Sequence, residues 1–473
     1  MKTLKILTIV LLSISPLVLG QSKVISLDNA VETALKNNRE IQIAKLDVDK
    51  ADAAVSEAFG YALPTVDVTA GFTRFLEIPK ISFPDFAAIT KNSTYDVLFD
   101  ENVIPRDNSK KLKVNSILQA FSLKNNYEVK AQVTQILFNS AVFRGIGASE
   151  IFLNLAKENF KNIISKTVLN VKKTFYDALL AKDLLEIAKS RFNNSRDHLK
   201  NIKALKSQGL VSEFNQMQAE VQVENIRPQI IQLENVFKDA KNGLKMLLNI
   251  NQEEKIKLKG EMEYTREIFA PEEELINEAI TSNLDLSSLK IKNQLDDEFS
   301  AIDRSNYWPT ISAFGNYSFS GSANDFKFQN YQSSTVGLNF SINLFQGGRT
   351  KNKVQQDQIV SMQTKEQIKS LTDLTISQVK SKLNDLKRVQ TQIETMKANI
   401  DLAERAYQIA EDRYKEGTGN ELEVKDANVA LSQAKVNYTN SVHDYVIAKA
   451  ELENLIGRVN KKFYKNYSDY LSK

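Results

Sequence analysis

Pro64-Thr65-Val66-Asp67-Val68-Thr69-Ala70-Gly71-Phe72-Thr73 is the stretch from which the fold unwinds, because its side chains alternate. Val66, Val68, Ala70 and Phe72 fall on one face of an extended strand, and Asp67, Thr69, Gly71 and Thr73 on the other. The same phase returns after Pro309, where Ile311, Ala313, Gly315, Tyr317 and Phe319 face away from Thr310, Ser312, Asn316 and Ser318. Two return strands follow suit. Tyr127, Val129, Ala131 and Val133 match Val336, Leu338, Phe340 and Ile342, with Glu128, Lys130, Gln132, Thr134 and Gly337, Asn339, Ser341, Asn343 on their other faces. Four strands of about ten residues with one apolar and one polar face fit a membrane β-barrel. Alternation alone fits a half-buried hairpin in a soluble domain equally well.

Outward from these strands the chain repeats itself. Ala34-Leu35-Lys36-Asn37-Asn38 aligns with Ala279-Ile280-Thr281-Ser282-Asn283, Leu137-Phe138 with Leu344-Phe345, Gly209 with Gly417, and Leu247-Leu248 with Leu455-Ile456. This divides the chain into a first repeat over 21–250, with strands about 64–75 and 127–138, and a second over 251–457, with strands about 310–320 and 335–345. A polar tail, 458–473, follows. The first repeat carries an insertion over about 76–113.

Between the strands the period becomes helical. Proline-free stretches over about 147–207 and 350–416 predict helices of roughly 90 to 100 Å, and Val389, Ile393, Met396, Ile400, Ala403, Tyr407, Ala410 and Tyr414 step by four and three as a heptad seam. Gly209 and Gly417 mark tight turns into shorter return helices, the first of which Pro228 is expected to kink or break. Each return helix is too short for its partner by about the length of the helix before each first strand, such as 38–63, so two short helices stacked end to end match one long one.

Composition narrows the function. Among 473 residues there is no cysteine, which excludes disulfides, thiol catalysis and thiolate metal sites. The two histidines, His198 and His443, lie far apart, which argues against a histidine-built zinc site or a Ser-His-Asp triad and makes both surface or interface residues. A net charge of +4 spread along the chain is no nucleic-acid footprint. Lys2 and Lys5 before the apolar run Ile6 to Leu19 predict an export signal over 1–20, with the mature chain beginning near Gln21. Later segments lack a run of about 18 apolar residues, so no transmembrane helix is expected. Tyr61, Tyr307 and Trp308 stand where a headgroup region begins, although aromatics at a helix end also serve a core.

The order helix, strand, hairpin, strand, long helix, glycine turn, helix, given twice, resembles the TolC family of outer-membrane efflux and secretion channels. Local motifs share the resemblance: Ala34-Leu35 with Asn37-Asn38, Leu63-Pro64, Leu344-Phe345-Gln346-Gly347-Gly348 and Tyr414-Lys415-Glu416-Gly417-Thr418. It spans roughly 26–457. The implied fold is mainly α with a membrane β-barrel part. It is a homotrimer in which four strands per chain make one twelve-stranded barrel and long coiled-coil helices make an α-barrel tube. Pro64, Pro309, Gly347 and Gly348 are then the junctions between helix and strand.

The resemblance also assigns roles at the helical tips. Glu423 and Asp426 stand at positions where the family places acidic rings that close the pore and favour cations, although the helix dipole by itself favours acids there. Tyr414 fits the tyrosine of the family's closing contact. Gly419 and Asn215 replace its arginine and aspartate, so either a Tyr414 to Asn215 hydrogen bond or other contacts close the tips. Gly209, Leu210, Gly417 and Thr418 would dock a periplasmic adaptor (membrane fusion) protein. The implied partners are that adaptor, an inner-membrane pump of the RND, ABC or MFS type, and outer-membrane lipid. No cofactor, metal or catalysis is implied. The insertion, rich in proline and aromatics, reads as a cover for the barrel mouth or as a disordered surface loop. A periplasmic coiled-coil scaffold without a pore is the alternative function, and an enzyme a more distant one, since neither a Walker loop nor a nucleophile elbow is present.

Overall fold

A computed structural model describes residues 23–120, 122–458, 463, 467 and 471. The expected signal segment and most of the polar tail lie outside the described residues. The chain divides into two compact units, one formed by residues up to 55, 148–297 and from 357 onward, the other by 56–147 and 298–356.

The first unit is helical and holds two cores. One gathers α1 (Leu27–Asn37), α2 (Arg39–Gly60), α4 (Ser140–Ser207) and α5 (Glu213–Leu247) around Val31, Ile41, Phe160, Ile164, Phe175 and Leu244. The other gathers α6 (Glu272–Ser282), α8 (Arg349–Lys415) and α9 (Glu421–Leu455) around Leu275, Leu383, Leu386, Ile393, Val442 and Tyr445. A short parallel pair, β1 (Lys23–Ile25) on β6 (Ile256–Leu258), lies against the first core. Tyr467 from the tail joins it too, its hydroxyl bonding the Leu35 carbonyl and its ring meeting Phe160 edge-on. The heptad seam on α8 turns inward along its whole length: Val389, Ile393 and Ala410 are buried, and Met396, Ile400, Ala403, Tyr407 and Tyr414 half-buried.

The end-to-end stacking of short helices has a specific joint. Asn38 accepts from the amides of Glu40 and Ile41 at 2.8 and 3.3 Å, capping α2, while its Nδ2 donates to the Leu247 carbonyl at the end of α5, 3.1 Å away. In the second half Asn283 accepts from Leu286 N at 3.0 Å, capping α7 (Leu284–Arg304), and donates to the Leu455 carbonyl of α9 at 3.3 Å. One amide side chain thus satisfies orphan donors of one helix and an orphan acceptor of the next. Helix α5 continues through Pro228, which breaks its hydrogen bonding only locally. Proline removes only one amide, and the carbonyl of Glu224 that it frees lies on the exposed side of the helix.

The second unit is built on an antiparallel sheet in the order β2 (Thr65–Arg74), β5 (Asn125–Phe138), β7 (Thr310–Ala323), β8 (Gln329–Ser341). The last strand is displaced from the expected 335–345. Its first six residues, Gln329 to Ser334, pair with β7 without apolar alternation, so the pattern missed them. Ile342 to Phe345 keep alternating but run beyond Thr310, where β7 begins and ladder partners end. The insertion is not a disordered loop: β3 (Lys80–Pro84) pairs with β4 (Ser116–Ala120), and α3 (Phe86–Asp100) is capped by Asp85 and tied to the Leu112 backbone by both ends of the Asn92 amide.

Candidate membrane sheet and helical tips

Pairing register decides which residues share a face. Val66, Val133, Gly315 and Val336 form one row; Val68, Ala131, Tyr317 and Ser334 the next; Ala70, Val129, Phe319 and Gln332 a third. Ala313 with Leu338 and Ile311 with Phe340 prolong this face toward the strand starts. The opposite face carries Asp67, Gln132, Asn316 and Thr335, then Thr69, Lys130, Ser318 and Ser333, with the two serines bonded across the ladder at 2.8 Å. Along β7 the apolar face runs from Ile311 to Gly321, ten steps of about 3.3 Å, or about 33 Å along the strand. At a barrel tilt of about 40° that is about 25 Å of height, the apolar band of an outer-membrane barrel. In a single chain Val336 is 87% and Leu338 73% exposed, far more than a hairpin closed on a soluble core leaves in water.

Aromatic residues bound this band at both ends. At the strand starts Tyr61, Tyr307 and Trp308 are exposed, and Phe345 joins them beside the equally exposed Leu344. Pro64 and Pro309 directly precede β2 and β7, where a missing amide costs no ladder bond. Gly347 and Gly348 both take positive φ on the way from β8 into α8, a conformation open to glycine at little cost. At the far end Phe72 stacks on Phe326 at 6.3 Å, and Tyr127 contacts Phe319 and Phe328 while its hydroxyl bonds Asn330 at 2.7 Å. Sequence reading missed this second girdle. Phe326 and Phe328 lie in a five-residue turn, outside any alternating stretch.

Four strands leave two free edges, β2 and β8. Because each successive pair is antiparallel, β2 and β8 run in opposite directions.

The tips lie in the helical unit. Gly209, at φ +77°, closes α4 with its amide on Lys206 O and that of Leu210 on Leu205 O. Gly417, at φ +75°, closes α8 in the same way, with its own amide on Tyr414 O and that of Thr418 on Arg413 O. Both are Schellman caps. Ser212 and Asn420 then cap α5 and α9. Leu210 projects into solvent, 67% exposed, and Thr418 Oγ1 bonds Arg413 O.

The closing contact differs from the simpler of the two expectations. Tyr414 makes no hydrogen bond to Asn215; its hydroxyl is buried without a partner among the described residues, and its ring packs on His198 of α4 at 5.1 Å. Asn215 accepts from the Ser212 hydroxyl instead, and burial raises the Glu421 carboxyl above its ordinary value against a lowering influence of the Asn215 amide. Burial likewise lowers the His198 pKa, against an opposing pull from Glu411. His198 is thus half-buried at the tip, and His443 pairs with Asp177 at 2.8 Å. Asn420 caps α9 by accepting from the Glu423 amide and donates to the Glu423 carboxylate, which is paired with Arg413 at 3.3 Å, whereas Asp426 is exposed and makes no ion pair among the described residues. Arg413 was overlooked in the sequence because it lies before the turn, six residues from Gly419.

Comparison with known proteins agrees with this arrangement. The family model "Outer membrane efflux protein" matches residues 275–458. The outer membrane protein TolC of Salmonella enteritidis is 23% identical over 346 residues, 72% of this chain and 70% of that protein. TolC of Escherichia coli K12 is 22% identical over 360 residues, covering 74% and 73%. In fold, the chain is similar to the Campylobacter jejuni CmeC outer membrane channel, with a TM-score of 0.73 at 16% identity, over 94% of this chain and 89% of that one. With an apolar strand face of membrane height and duplicated helical hairpins, the chain carries an outer membrane efflux protein region and is similar in sequence and fold to TolC-type outer-membrane channels.

Proposed function

We propose that three copies close one twelve-stranded barrel in the outer membrane. The helical hairpins continue it as a periplasmic tube, which receives cargo from an adaptor protein and an inner-membrane pump. The chain is an exit duct and not an enzyme. The observation that carries the trimer is the pair of opposed free edges on a four-stranded sheet. Four strands are too few to close, closed membrane barrels start at eight, and copies added edge to edge keep every ladder antiparallel. Transport energy comes from the pump, of the RND, ABC or MFS type.

At the tips, Gly209, Leu210, Gly417 and Thr418 form the adaptor-docking turns in this proposal, supported by the exposure of Leu210, Phe214 and Leu422 beside them. Asp426 supplies the acidic ring of the gate, with three unpaired carboxylates around one axis attracting cations. Glu423 contributes less, because Arg413 offsets it. Tyr414 acts in closure through His198, and Asn215 through its influence on the Glu421 carboxyl. Electron microscopy of the detergent-extracted particle tests the reading. A hollow three-fold cylinder beyond a detergent belt is expected, and a slender rod without belt or lumen would return the chain to the scaffold reading.

A further inference from the structure

Many lysines on the helical unit are matched to acids. Lys172 meets Glu453, Lys173 and Lys382 share Glu451, and Lys189 meets Glu234. In one cleft, five lysines without such a match gather together. The last turns of α5 and the strand β6 bring Lys238, Lys241, Lys245, Lys255 and Lys257 around a cavity of about 710 Å³, and none of the five forms an ion pair among the described residues. Glu253 and Glu254 are the carboxylates on its rim, so five ammoniums face two acids and leave a balance of +3.

The spacing makes the crowding unavoidable. Positions 238, 241 and 245 are three and four apart on one helix face, where like charges repel. Lys245 is 8% exposed, and its ammonium has three donors, of which one is spent on the Gln252 carbonyl at 2.6 Å. Burial, and then the neighbouring charge of Lys245, hold the Lys241 ammonium below its usual range, and it rests on the Phe237 ring at 4.4 Å. The helix dipole favours a cation in the last turn, which accounts for Lys245 but not for Lys238 three turns from the cap, nor for the two lysines brought in by β6. A donor-rich, like-charged cleft, with Lys245 buried at its base and Lys238, Lys255 and Lys257 exposed, is stabilised by whatever neutralises it.

We propose that this cleft is a binding site for a polyanion, a ligand presenting two or more phosphate or carboxylate groups close together. Lysine ammoniums are point charges with rotatable donors, so they receive tetrahedral phosphate and planar carboxylate alike, and a ligand with one charge leaves most of the excess unbalanced.

Calorimetric titration of the detergent-extracted full chain with pyrophosphate, tricarballylate and acetate tests this. Saturable binding of pyrophosphate or tricarballylate at least tenfold tighter than acetate is expected, with the tighter of the two naming phosphate or carboxylate as the natural group. Lys238→Gln with Lys257→Gln, both at exposed positions, should weaken it a further tenfold or more. As a second readout on the unaltered chain, the polyanion should slow acetylation of Lys241 and Lys255, followed by mass spectrometry, and leave Lys189 unaffected. Absence of saturable binding, equal affinity for acetate, or binding unchanged by the double substitution would overturn the proposal.

Discussion

Replacing Asn38 by alanine removes three bonds at once: two to the amides of Glu40 and Ile41, and one to the Leu247 carbonyl. Loss of an N-cap costs about 1 kcal/mol. The Leu247 carbonyl loses its partner at a joint where Asn38 is 7% exposed, which adds about 1 to 2 kcal/mol. The sum, about 2 to 3 kcal/mol, corresponds to roughly 30- to 140-fold faster local opening. Hydrogen exchange read by mass spectrometry should therefore speed by that factor at the start of α2 and the end of α5. Asn38→Asp separates the two functions. Its carboxylate still accepts from Glu40 and Ile41, helped by the helix dipole, but it has no donor for Leu247. In that variant the α2 amides should stay protected while those of Leu248 to Ile250 exchange faster. If the end of α5 is as protected in Asn38→Asp as in the parent chain, the amide bridge does not join the helices and the reasoning fails.

Four shorter predictions follow from other parts of the molecule. Asp426→Asn should lower cation selectivity in planar bilayers more than Glu423→Gln, because Glu423 is already paired with Arg413; the reverse order would remove Asp426 from the gate. Val68→Arg, in the middle of the apolar face, should cost about 2 to 4 kcal/mol and reduce the assembled form on a native gel, whereas normal assembly would invert the face assignment. Gly457→Ala should destabilise the end of α9 by about 1 to 3 kcal/mol or more, since φ is +72° and a Cβ would meet the Ser282 carbonyl oxygen at 2.6 Å; unchanged exchange there would contradict this. Burial favours the neutral His198 ring when folded, so the unfolded chain takes up its proton first. Its contribution is whole above about pH 6.5 and is lost as pH falls through the lower folded value. Glu421, raised by burial, has the opposite sign and acts from about 4.5 upward. Tip exchange, corrected for intrinsic rate, should speed on acidification in the parent and less so in His198→Gln; equal pH dependence would show that His198 is not responsible.

Periodicity made the sheet and the long helices legible because burial on one face imposes a period of two on a strand and about 3.6 on a helix. Val66 to Phe72 and the α8 seam from Val389 to Tyr414 carry those periods undisturbed, and Gly209 and Gly417 punctuate them as left-handed caps. Gln329 to Ser334 were invisible for the same reason: strand pairing there comes from backbone bonds to β7, which leave no mark on side-chain choice. The insertion escaped too, since its hairpin and α3 are short and held by Asp85 and Asn92, polar residues that read as loop.

At the functional ends the division is sharper. Sequence and resemblance together nominated Glu423, Asp426, Tyr414 and Asn215, all within a few residues of a turn. Which carboxylate is neutralised, and what Tyr414 touches, depended on Arg413 and His198, and His198 is brought to Tyr414 from another helix more than 200 residues away. So did the double use of Asn38 and Asn283: each reads as an ordinary helix cap until the end of a distant helix arrives beside it. Patterns set by solvent are written along the chain, because every residue of a face answers to the same water or lipid. Pairings between elements are decided only by tertiary packing, because hydrogen bonds and ion pairs act over a few ångströms and the sequence holds no measure of which distant residues come that close.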